Sequence, residues 1–337
     1  MRASLFLLQN LGTTCLASMT DAAMGYPQAL VRRIGHPVIW IGGLIGTLDR
    51  WLNTPRRTPC QRRLAGFVAA GVIAALPTAS AMIIARLIRH LLPRWMALPV
   101  TAVLASSLVA QRSLHDHVLA VAQAADESLS AARIAVSHIV GRDPEQLDEA
   151  GVLRAATETL AENFSDGIVA PLLWMAVGGL PGAVFYKSVN TADSMIGHRT
   201  PRHEAFGYAA ARLDDLVNLP ASRVSALWII LAALTLPGMR AGAALHTVWR
   251  DARAHRSPNA GWPEAAMAGA LGIRLSGPRT YDGVPVAEPW VGDGTPALRP
   301  DDLYRALKLY RRACLIQTLA GLSALGLLAW RRRQRTA

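Results

Sequence analysis

The 337-residue sequence has little cysteine and little charge for its length. Its three cysteines, Cys15, Cys60 and Cys314, lie far apart and form no CxxC pair, which argues against a disulfide framework and against a zinc site. Only 17% of the residues are charged and 52% are hydrophobic, whereas soluble domains carry about a quarter charged residues. The sequence also lacks a GxGxxG segment and a P-loop, so a sheet-based nucleotide domain is not expected.

The basic residues, which give a net charge of +12, lie mostly beside apolar runs. Arg62 and Arg63 precede a run that starts at Leu64, and arginines 331–333 follow Trp330. A nucleic-acid-binding protein would instead carry its basic residues on a polar domain with aromatic partners. The charge therefore indicates membrane topology, with a cytoplasmic C-terminus, and leaves some cations for anionic ligands.

Apolar runs of the length that crosses ~30 Å of hydrocarbon predict an all-α, polytopic helical integral membrane protein. Helical loop segments are expected to pack against the bundle, in a single membrane-embedded domain over residues 1–337. The apolar segments lie at residues 5–19, 64–85, 96–110, 168–186, 224–239 and 313–330. Residues 168–186 and 224–239 are short or broken by Gly and Pro, so each is a span, a re-entrant segment or a protein-buried segment. Residues 5–19 resemble a signal-peptide core without a convincing cleavage site, which favours a retained, membrane-associated segment.

Three carboxylates precede the apolar segment at 168–186. Glu158, Glu162 and Asp166 follow one another at i, i+4 and i+8 in a predicted helix, which places them on one face. Like charges at this spacing repel by about 0.2–0.5 kcal/mol per pair, so a cation is expected nearby. The alternative is a solvated face of a helix next to the membrane.

Two polar clusters follow the same apolar segment. YKSVNTADSMIG occupies residues 186–197 and RLDDLVN occupies residues 212–218, with Arg223 beyond them. Asp, Asn and Ser oxygens suit Mg²⁺, which takes one or two carboxylates and completes its shell with phosphate and water. Lys187, Arg212 and Arg223 are of the types that hold phosphates.

A further polar cluster, RDARAHRSPNAGWPEA, occupies residues 250–265. Pro263 and Glu264 are typical of a helix start, which accounts for these two residues without any function. That account leaves out Arg250 and His255, which lie close by in the sequence. The turn can present backbone N–H groups and an arginine to an anion.

Together these motifs resemble the adenosylcobinamide-phosphate synthase family of cobalamin biosynthesis, often called CobD or CbiB. The matching segments are His36-Pro37-Val38 with Ile41-Gly42, Ala161-Glu162-Asn163 with Asp166-Gly167 and Ala170-Pro171, Tyr186-Lys187 with Asn190-Thr191 and Asp193-Ser194-Met195, Arg212-Leu213-Asp214-Asp215 with Asn218, and Arg250-Asp251-Ala252 with Ser257-Pro258-Asn259-Ala260-Gly261. The resemblance extends from about Asp21 to the last apolar segment. Two positions depart from the family pattern: Tyr26, in Gly25-Tyr26-Pro27, replaces an acid, and Asp49 stands where a Glu is usual. Both departures weaken a catalytic role for the N-terminal loop.

The resemblance implies a multi-pass enzyme of the cell (inner) membrane, an acid–amine ligase. Such an enzyme joins aminopropanol or its O-phosphate to the propionate carboxyl of adenosylcobyric acid, with ATP and Mg²⁺, to give adenosylcobinamide or its phosphate. The implied partners are the corrinoid substrate, the aminopropanol compound, membrane lipid and other cobalamin-assembly enzymes, and not nucleic acid. Amide formation from a carboxylate needs an activated acyl group, so phosphoryl transfer assisted by Mg²⁺ and basic residues is consistent with the motifs.

The roles of individual residues follow as hypotheses from this resemblance and from side-chain chemistry. The residues expected to bind Mg²⁺ are Glu162, Asp166, Asp193, Asp214 and Asp215. The catalytic candidates are Lys187, Asp193, Asp215, Arg250 and His255. The residues expected to bind substrate are Asn163, Asn190, Ser194, Arg212, Asn218, Ser257, Asn259 and Glu264. Within these sets Lys187, Arg212 and Arg250 are expected to contact phosphate. His255 is the candidate general base, because imidazole titrates near neutral pH, and a structural hydrogen-bonding role is its alternative.

One active site that uses both 187–218 and 250–264 restricts the topology. If residues 224–239 crossed the membrane once, the two groups of motifs would lie on opposite sides. This segment is therefore expected to be re-entrant or protein-packed, or the site to lie in an intramembrane cavity. His36 is expected to shape a turn.

Two other classes of function remain open. A non-catalytic membrane sensor or signalling relative of the same superfamily would lack complete polar clusters, and this sequence has them. A transporter would carry charges within its spans and an internal repeat, and neither is found.

Overall fold

The computed structural model describes residues 2–26, 32–33, 35–141, 144–281, 284–286 and 288–334. The chain is 79% helical, which confirms the all-α class. Pro27, part of the Gly25-Tyr26-Pro27 departure, lies outside the described residues.

The helices differ widely in length, and short turns connect many of them. The helices of the first half are α1 (Arg2–Met24), α2 (Pro37–Leu52), α3 (Pro59–Leu91), α4 (Arg94–Ser106), α5 (Gln111–Glu127) and α6 (Leu129–Ser137). Those of the second half are α7 (Glu149–Phe164), α8 (Ala170–Ala192), α9 (Tyr208–Leu234), α10 (Ala241–Asp251), α11 (Gly261–Leu271) and α12 (Pro300–Gln334). Two π-helical turns, Ser165–Val169 and Asp193–Gly197, adjoin α8, and a 3₁₀ turn, Ala252–Ala254, follows α10.

Four short strands lie between α11 and α12. They are β1 (Leu275–Ser276), β2 (Arg279–Tyr281), β3 (Val284–Val286) and β4 (Trp290–Val291). β1 pairs antiparallel with β4, with Leu275 opposite Val291, and β2 pairs antiparallel with β3. These two-stranded pairs are too small to form a sheet layer of their own.

Five helical stretches are long and apolar enough, by length and composition, to cross a membrane. They are Pro59–Leu91, Trp95–Glu127, Glu149–Gly197, Tyr208–Leu234 and Pro300–Gln334. In α3 and α12 only 22% and 11% of the most apolar window is buried inside the protein. The outward apolar faces are what lipid contact requires, so the polytopic membrane class is confirmed.

One compact unit consists of Met1–Ala110, Ala170–Asn218 and Ala320–Ala337. In this unit α1 packs against α4 and α8, and α3 packs against α2 and α8. Gly66 of α3 lies directly against the carbonyl oxygen of Phe206, and a Cβ at position 66 would overlap it. A residue without a side chain is therefore needed where the segment before α9 meets α3.

Helix α8, within this unit, turns back on itself at Gly179. Gly179 has φ 65° and ψ −154°, a region that residues with a side chain avoid. The rings of Trp174 and Phe185 have centroids 5.7 Å apart, whereas residues so separated would lie about 16 Å apart along a straight helix. The part of the apolar segment 168–186 that belongs to α8 is therefore a helical hairpin and not one straight span.

The bend in α8 leaves a backbone carbonyl without its helical partner. Pro181 has no N–H to give to the carbonyl oxygen of Val177. The side-chain amide of Asn10 in α1 donates to this oxygen instead, at 3.2 Å. A side chain thus satisfies the freed carbonyl, as apolar surroundings require.

The second compact unit consists of Gln111–Val169 and Leu219–Leu319. In this unit α5 packs against α6 and α7, α10 packs against α11, and β1 contacts both α7 and α11. The α10–α11 contact is close, since a Cβ at Gly269 would meet the Cα of Ala244 at 2.6 Å. The unit therefore brings the end of α7, the start of α11 and β1 together.

Each predicted apolar segment lies largely in helices, but two of them extend past the end of their helix. Residues 224–239 are the second half of α9 and the turn after it, because α9 runs unbroken from Tyr208 to Leu234. Ala226 and Ile229 are buried, which agrees with the protein-packed alternative, and the length and composition of α9 also suit a membrane span. The run at 96–110 ends its helix at Ser106. That residues 1–337 form a single domain, and that residues 187–218 and 250–264 share one active site, stay predictions.

Candidate functional site

A chain of hydrogen bonds joins α8 and α9 in the first unit. The Lys187 ammonium donates to Asn190 Oδ1 at 3.3 Å, and Asn190 Nδ2 donates to Asp214 Oδ1 at 3.5 Å. Asn218 Nδ2 donates to Asp214 Oδ2 at 3.0 Å, and the Tyr186 hydroxyl donates to Asn218 Oδ1 at 2.8 Å. Four residues expected in the site therefore form one network, together with Tyr186, to which the motif assigned no role.

The members of this network differ in exposure, and this separates their roles. Asp214 is 8% exposed and Asn218 is 1% exposed, while Lys187 and Asn190 are half-buried. The amide nitrogen of Asn218 donates to Asp214 and its oxygen accepts from Tyr186. This geometry favours a role in positioning Asp214 over direct contact with substrate. Lys187 and Asn190 are the members that a ligand can reach.

Asp193 lies on the π-helical turn that ends α8. This turn places its side chain directly against Gly197, where a Cβ would overlap Asp193 Oδ1. The charge of Asp193 acts on Asp214, and that of Asp215 acts on both. Three carboxylates expected to bind metal thus influence one another within this unit. A π-helical turn is frequent at functional sites, and the sequence gives no sign of it.

Two other site candidates lie at the exposed edge of this cluster. Arg212 Nη1 pairs with Asp215 Oδ2 at 3.2 Å. The Ser194 hydroxyl is exposed and donates to the Asn190 carbonyl oxygen at 3.0 Å. Asp215 is therefore already paired with a cation, which leaves Asp193 and Asp214 as the better metal candidates.

His36 begins helix α2, as expected for a residue that shapes a turn. Its Nδ1 accepts from the Val38 N–H at 3.2 Å, and its ring packs on Tyr26 at 4.6 Å between centroids. Burial and, second, the charge of Lys187 lower the pKa of His36 below its ordinary value. The ring therefore lies near Lys187 and is neutral at pH 7.

Asp49, one of the departures from the family pattern, has a structural role. Its carboxylate accepts from Asn53 Nδ2 at 2.8 Å and from Arg202 at 2.5 Å. Burial opposes its charge, but these hydrogen bonds and the charges of Arg202 and His203 outweigh burial and lower the pKa of Asp49. The acid clamps the segment before α9 to α2.

In the second unit, Arg250 is held by two acids. It donates from Nε and Nη2 to Asp251 at 2.5 and 2.7 Å, and from Nη1 to Asp293 at 2.5 Å. These hydrogen bonds to Asp251 and Asp293 raise the pKa of Arg250. Burial opposes the charge of Asp251, yet bonds from Arg250 and the Gly292 N–H lower its pKa. A phosphate that binds Arg250 has to compete with these two carboxylates. The spacing of residues in the sequence did not indicate the Asp293 contact.

The loop after α10 uses its polar side chains internally. His255 Nδ1 accepts from the Ser257 N–H at 3.0 Å, and His255 Nε2 lies 3.6 Å from Glu264 Oε2. Ser257 Oγ accepts the N–H groups of Asn259 and Ala260. With Nδ1 occupied as an acceptor, His255 has no free lone pair for a substrate amine. The geometry thus favours the structural role of His255 over that of general base.

Asn259 and Glu264 are buried, at 6% and 3% exposure. Asn259 Oδ1 accepts from the Ser222 hydroxyl at 3.1 Å and from Arg223 Nη1 at 3.0 Å. The Arg223 guanidinium also lies 4.4 Å from the ring centroid of Trp262. Arg223 is therefore fixed by an amide and an aromatic ring.

A buried acid pair joins α7, α11 and β1. Ser276 gives its N–H to Glu158 Oε1 at 2.7 Å and its hydroxyl to Glu264 Oε2 at 3.3 Å. Ser276 has φ 58°, which is uncommon for a residue with a side chain. Glu264 is therefore more than a helix-start acid. The i, i+4 spacing of Glu158 and Glu162 drew attention to Glu158 in the sequence, whereas no motif or spacing indicated a role for Ser276.

The three acids expected on one helix face do not share one environment. Glu158 is buried at 7% exposure, while Glu162 is exposed and Asp166 is half-buried. Asp166 lies on the π-helical turn Ser165–Val169, so the regular α-helical spacing assumed in the prediction ends before it. Asn163 is exposed and donates to the Thr159 carbonyl oxygen at 3.1 Å.

The donor set of the first unit fits Mg²⁺ better than a metal held entirely by protein. Within the described ranges, no group of three or more His, Cys, Asp and Glu side chains is arranged to hold a metal ion. Asp193 and Asp214 together offer two carboxylates, and Mg²⁺ usually takes one or two and completes its shell with water and phosphate. Glu162 and Asp166 belong to the second unit.

Comparison with known proteins identifies the family. A model of the family described as CobD/Cbib protein matches residues 14–310. The chain therefore belongs to the CobD/CbiB family. This family membership confirms the resemblance inferred from the motifs. No solved structure matches the chain.

Several curated relatives are similar over nearly their whole length. A protein of Rhodobacter capsulatus is 54% identical over 303 residues, which cover 89% of this chain and 92% of the relative. A protein of Rhizobium meliloti is 46% identical over 308 residues, which cover 90% and 94%. A protein of Brucella suis is 46% identical over 301 residues, which cover 88% and 90%. Each is called "Cobalamin biosynthesis protein CobD".

Proposed function

We propose that this CobD/CbiB family member acts in cobalamin biosynthesis as an acid–amine ligase of the cell (inner) membrane. It attaches aminopropanol or its O-phosphate to the propionate carboxyl of adenosylcobyric acid. A C–N bond forms between the carboxyl carbon and the amine nitrogen, the carboxyl C–O bond breaks with its oxygen leaving on the phosphoryl or adenylyl group that ATP supplies, and the nitrogen loses a proton. The product is adenosylcobinamide or its phosphate.

The hydrogen-bonded set of Lys187, Asn190 and Asp214 is the observation that carries this proposal. It combines a cation, an amide and a buried carboxylate on two helices whose sequences match the family motifs. An ammonium held by Asn190 stabilises negative charge that develops on a carboxyl or phosphoryl oxygen.

Asp193 and Asp214 are the residues that would hold Mg²⁺. Both oxygens of Asp214 accept from amides, no cation of the described residues pairs with it, and Asp193 adds its charge beside it. A divalent ion would neutralise these neighbouring carboxylates. ATP with Mg²⁺ supplies activation of the carboxyl group when bound.

The protein's own residues orient the reactants around this activation. Asn218 and Tyr186 hold Asp214 in place, and Asn190 holds Lys187. Residues that are fixed in this way cost little reorganisation when the reaction proceeds. The apolar spans keep the enzyme in the membrane, and the corrinoid and the amine are its substrates.

The test is amide formation by the full-length protein in detergent with adenosylcobyric acid, aminopropanol phosphate, ATP and Mg²⁺. Mass spectrometry follows the product for the wild type, Asp193→Asn and Asp214→Asn. We expect product from the wild type and a loss of at least 100-fold in kcat/KM in both variants, equivalent to roughly 3 kcal/mol of transition-state stabilisation.

Glu127→Gln provides the matched control, because Glu127 is an exposed acid of the second unit. This variant is expected to keep the wild-type rate. No product from a folded wild type would remove the ligase proposal. Unchanged rates in both Asp variants would remove the assignment of the carboxylates.

A further inference from the structure

Two arginines converge on one tyrosine at the surface of the first unit. The Arg63 guanidinium of α3 lies 3.8 Å from the Tyr208 ring centroid, and that of Arg212 in α9 lies 5.5 Å from it. Both charges also act on the Tyr208 hydroxyl. The sequence places Arg63 far from Arg212 and indicates only that it flanks an apolar run.

The charges around Tyr208 do not cancel. Arg212 pairs with Asp215, whereas Arg63 pairs with no carboxylate of the described residues. Both arginines are exposed. Two cations and one acid leave a net positive charge that an anion would neutralise.

The neighbouring Arg62 shows what an arginine with a purely structural role looks like in this helix. It donates from Nε to Asn53 Oδ1 at 2.7 Å and from Nη2 to the carbonyl oxygen of Arg202. Its donors are thus directed into the protein. Arg63 contacts the ring of Tyr208 and hydrogen-bonds to its hydroxyl. Because a guanidinium carries five N–H donors, Arg63 keeps further donors for a ligand.

We propose that Arg63 and Arg212 bind a phosphate group beside Tyr208. The planar N–H fork of arginine matches phosphate oxygens, and the tyrosine ring fixes the Arg63 guanidinium by stacking. Arg212 connects this phosphate site to the carboxylates, because its partner Asp215 acts on Asp193 and Asp214. The inference deepens the proposed function and rests on it for the identity of the phosphate compound.

Phosphate at this position has two chemical sources. One is the phosphate chain of a nucleotide that binds with Mg²⁺ near Asp193 and Asp214. The other is the headgroup of an anionic lipid, because α3 and α9 are membrane-spanning candidates and each arginine is the fifth residue of its helix, close to the helix start. The recognition chemistry is the same, so the experiment has one arm for each source.

The first arm measures binding of inorganic triphosphate and of magnesium ATP to the full-length protein in detergent by calorimetry. Arg63→Ala is expected to raise Kd at least tenfold, and Arg63→Lys by a smaller factor, because lysine keeps the charge without the fork. Arg56→Ala is the matched control, since Arg56 is an exposed arginine of the preceding turn. Its Kd is expected to change less than twofold.

The second arm measures phosphatidylglycerol retained by protein purified from mixed phosphatidylglycerol and phosphatidylcholine nanodiscs. If Arg63→Ala loses at least half of this lipid while its triphosphate affinity is unchanged, the phosphate is a lipid headgroup and the site stands. If neither ligand responds to Arg63→Ala in a variant with the wild-type unfolding midpoint, the proposal is overturned.

The two arms do not depend on catalysis. A protein that makes no amide but loses triphosphate binding on Arg63→Ala would refute the ligase and keep the phosphate site. If the wild type makes the amide, and Arg63→Ala changes neither the binding of the two ligands nor KM for ATP, the phosphate site is refuted and the ligase proposal is kept.

Discussion

Asn218 connects two other buried side chains, those of Asp214 and Tyr186. Its amide nitrogen donates to Asp214 and its oxygen accepts from Tyr186, all in the interior of the first unit. The orientation of this amide is thereby determined. A buried amide with both ends in use acts as a spacer that keeps a carboxylate in one position.

Replacement of this amide is expected to destabilise the protein. Asn218→Leu removes a partner from a buried carboxylate and from a buried hydroxyl, and each lost partner costs about 1–3 kcal/mol. We expect the free energy of unfolding to fall by about 2 kcal/mol or more, measured by circular dichroism as sodium dodecyl sulfate is added to the protein in detergent.

Asn163→Leu is the matched control, because Asn163 is exposed and bonds only within its own helix. Its effect is expected to stay within about 0.5 kcal/mol. Equal losses in both variants would contradict the role of Asn218.

The Asp49 clamp predicts a dependence of stability on pH. Because the folded-state pKa of Asp49 is lowered, its contribution is present above the unfolded pKa of about 3.9 and is lost as pH falls through the folded pKa. Asp49→Asn is expected to lower the free energy of unfolding at pH 7 by roughly 2 kcal/mol. The difference from wild type shrinks below about pH 4.

Thermal unfolding at pH 7, 5 and 3 measures this dependence. Glu127→Gln serves as the control at an exposed acid and is expected to show no difference at any of these pH values. A deficit of Asp49→Asn that is the same at pH 3 and pH 7 would show that the charge of Asp49 is not the cause.

At the scale of elements, the bend in α8 was only half visible in the sequence. Gly178, Gly179 and Pro181 indicate a break, because glycine and proline interrupt helices. They do not indicate that the chain turns back, which depends on Asn10 satisfying the Val177 carbonyl and on Trp174 packing against Phe185. Asn10 is distant from the bend in the sequence, and Trp174 and Phe185 lie on its two opposite arms.

The strained bend predicts that alanine substitution of two neighbouring glycines, Gly179 and Gly178, has different effects on stability. Gly179→Ala forces a side chain into φ 65°, ψ −154° and places its Cβ 2.9 Å from Asn10 Oδ1. A loss of about 1–3 kcal/mol in the free energy of unfolding is expected. Gly178 has no atom within 4 Å of an added Cβ, so Gly178→Ala is expected to be nearly neutral. Unfolding in detergent compares them, and similar losses would refute the strained bend.

At the scale of the whole molecule, the apolar helices make it a membrane protein and the basic residues predict its orientation. Arginines 331–333 end α12, the last candidate span. Positive residues beside a span stay on the cytoplasmic side. The composition of the chain and the order of its residues are enough to predict this orientation.

A topology reporter fused after residue 337 tests that orientation. We expect a green fluorescent protein fusion to fluoresce and an alkaline phosphatase fusion to be inactive, because the arginines predict a cytoplasmic C-terminus. Replacing the three arginines by lysine is expected to keep this pattern, and replacing them by glutamate to weaken it. An active phosphatase fusion to the wild-type chain would refute the orientation.

The sequence by itself determined the membrane class, the helices and the family. Each depends on local properties, namely the length of apolar runs, their periodicity and short motifs, all of which a linear string contains. The tertiary structure decided which polar groups meet. Tyr186 reaches Asn218 across 32 residues and Ser276 reaches Glu158 across 118. Hydrogen bonds act over about 3 Å between atoms of a folded chain, and no spacing in the sequence encodes that proximity.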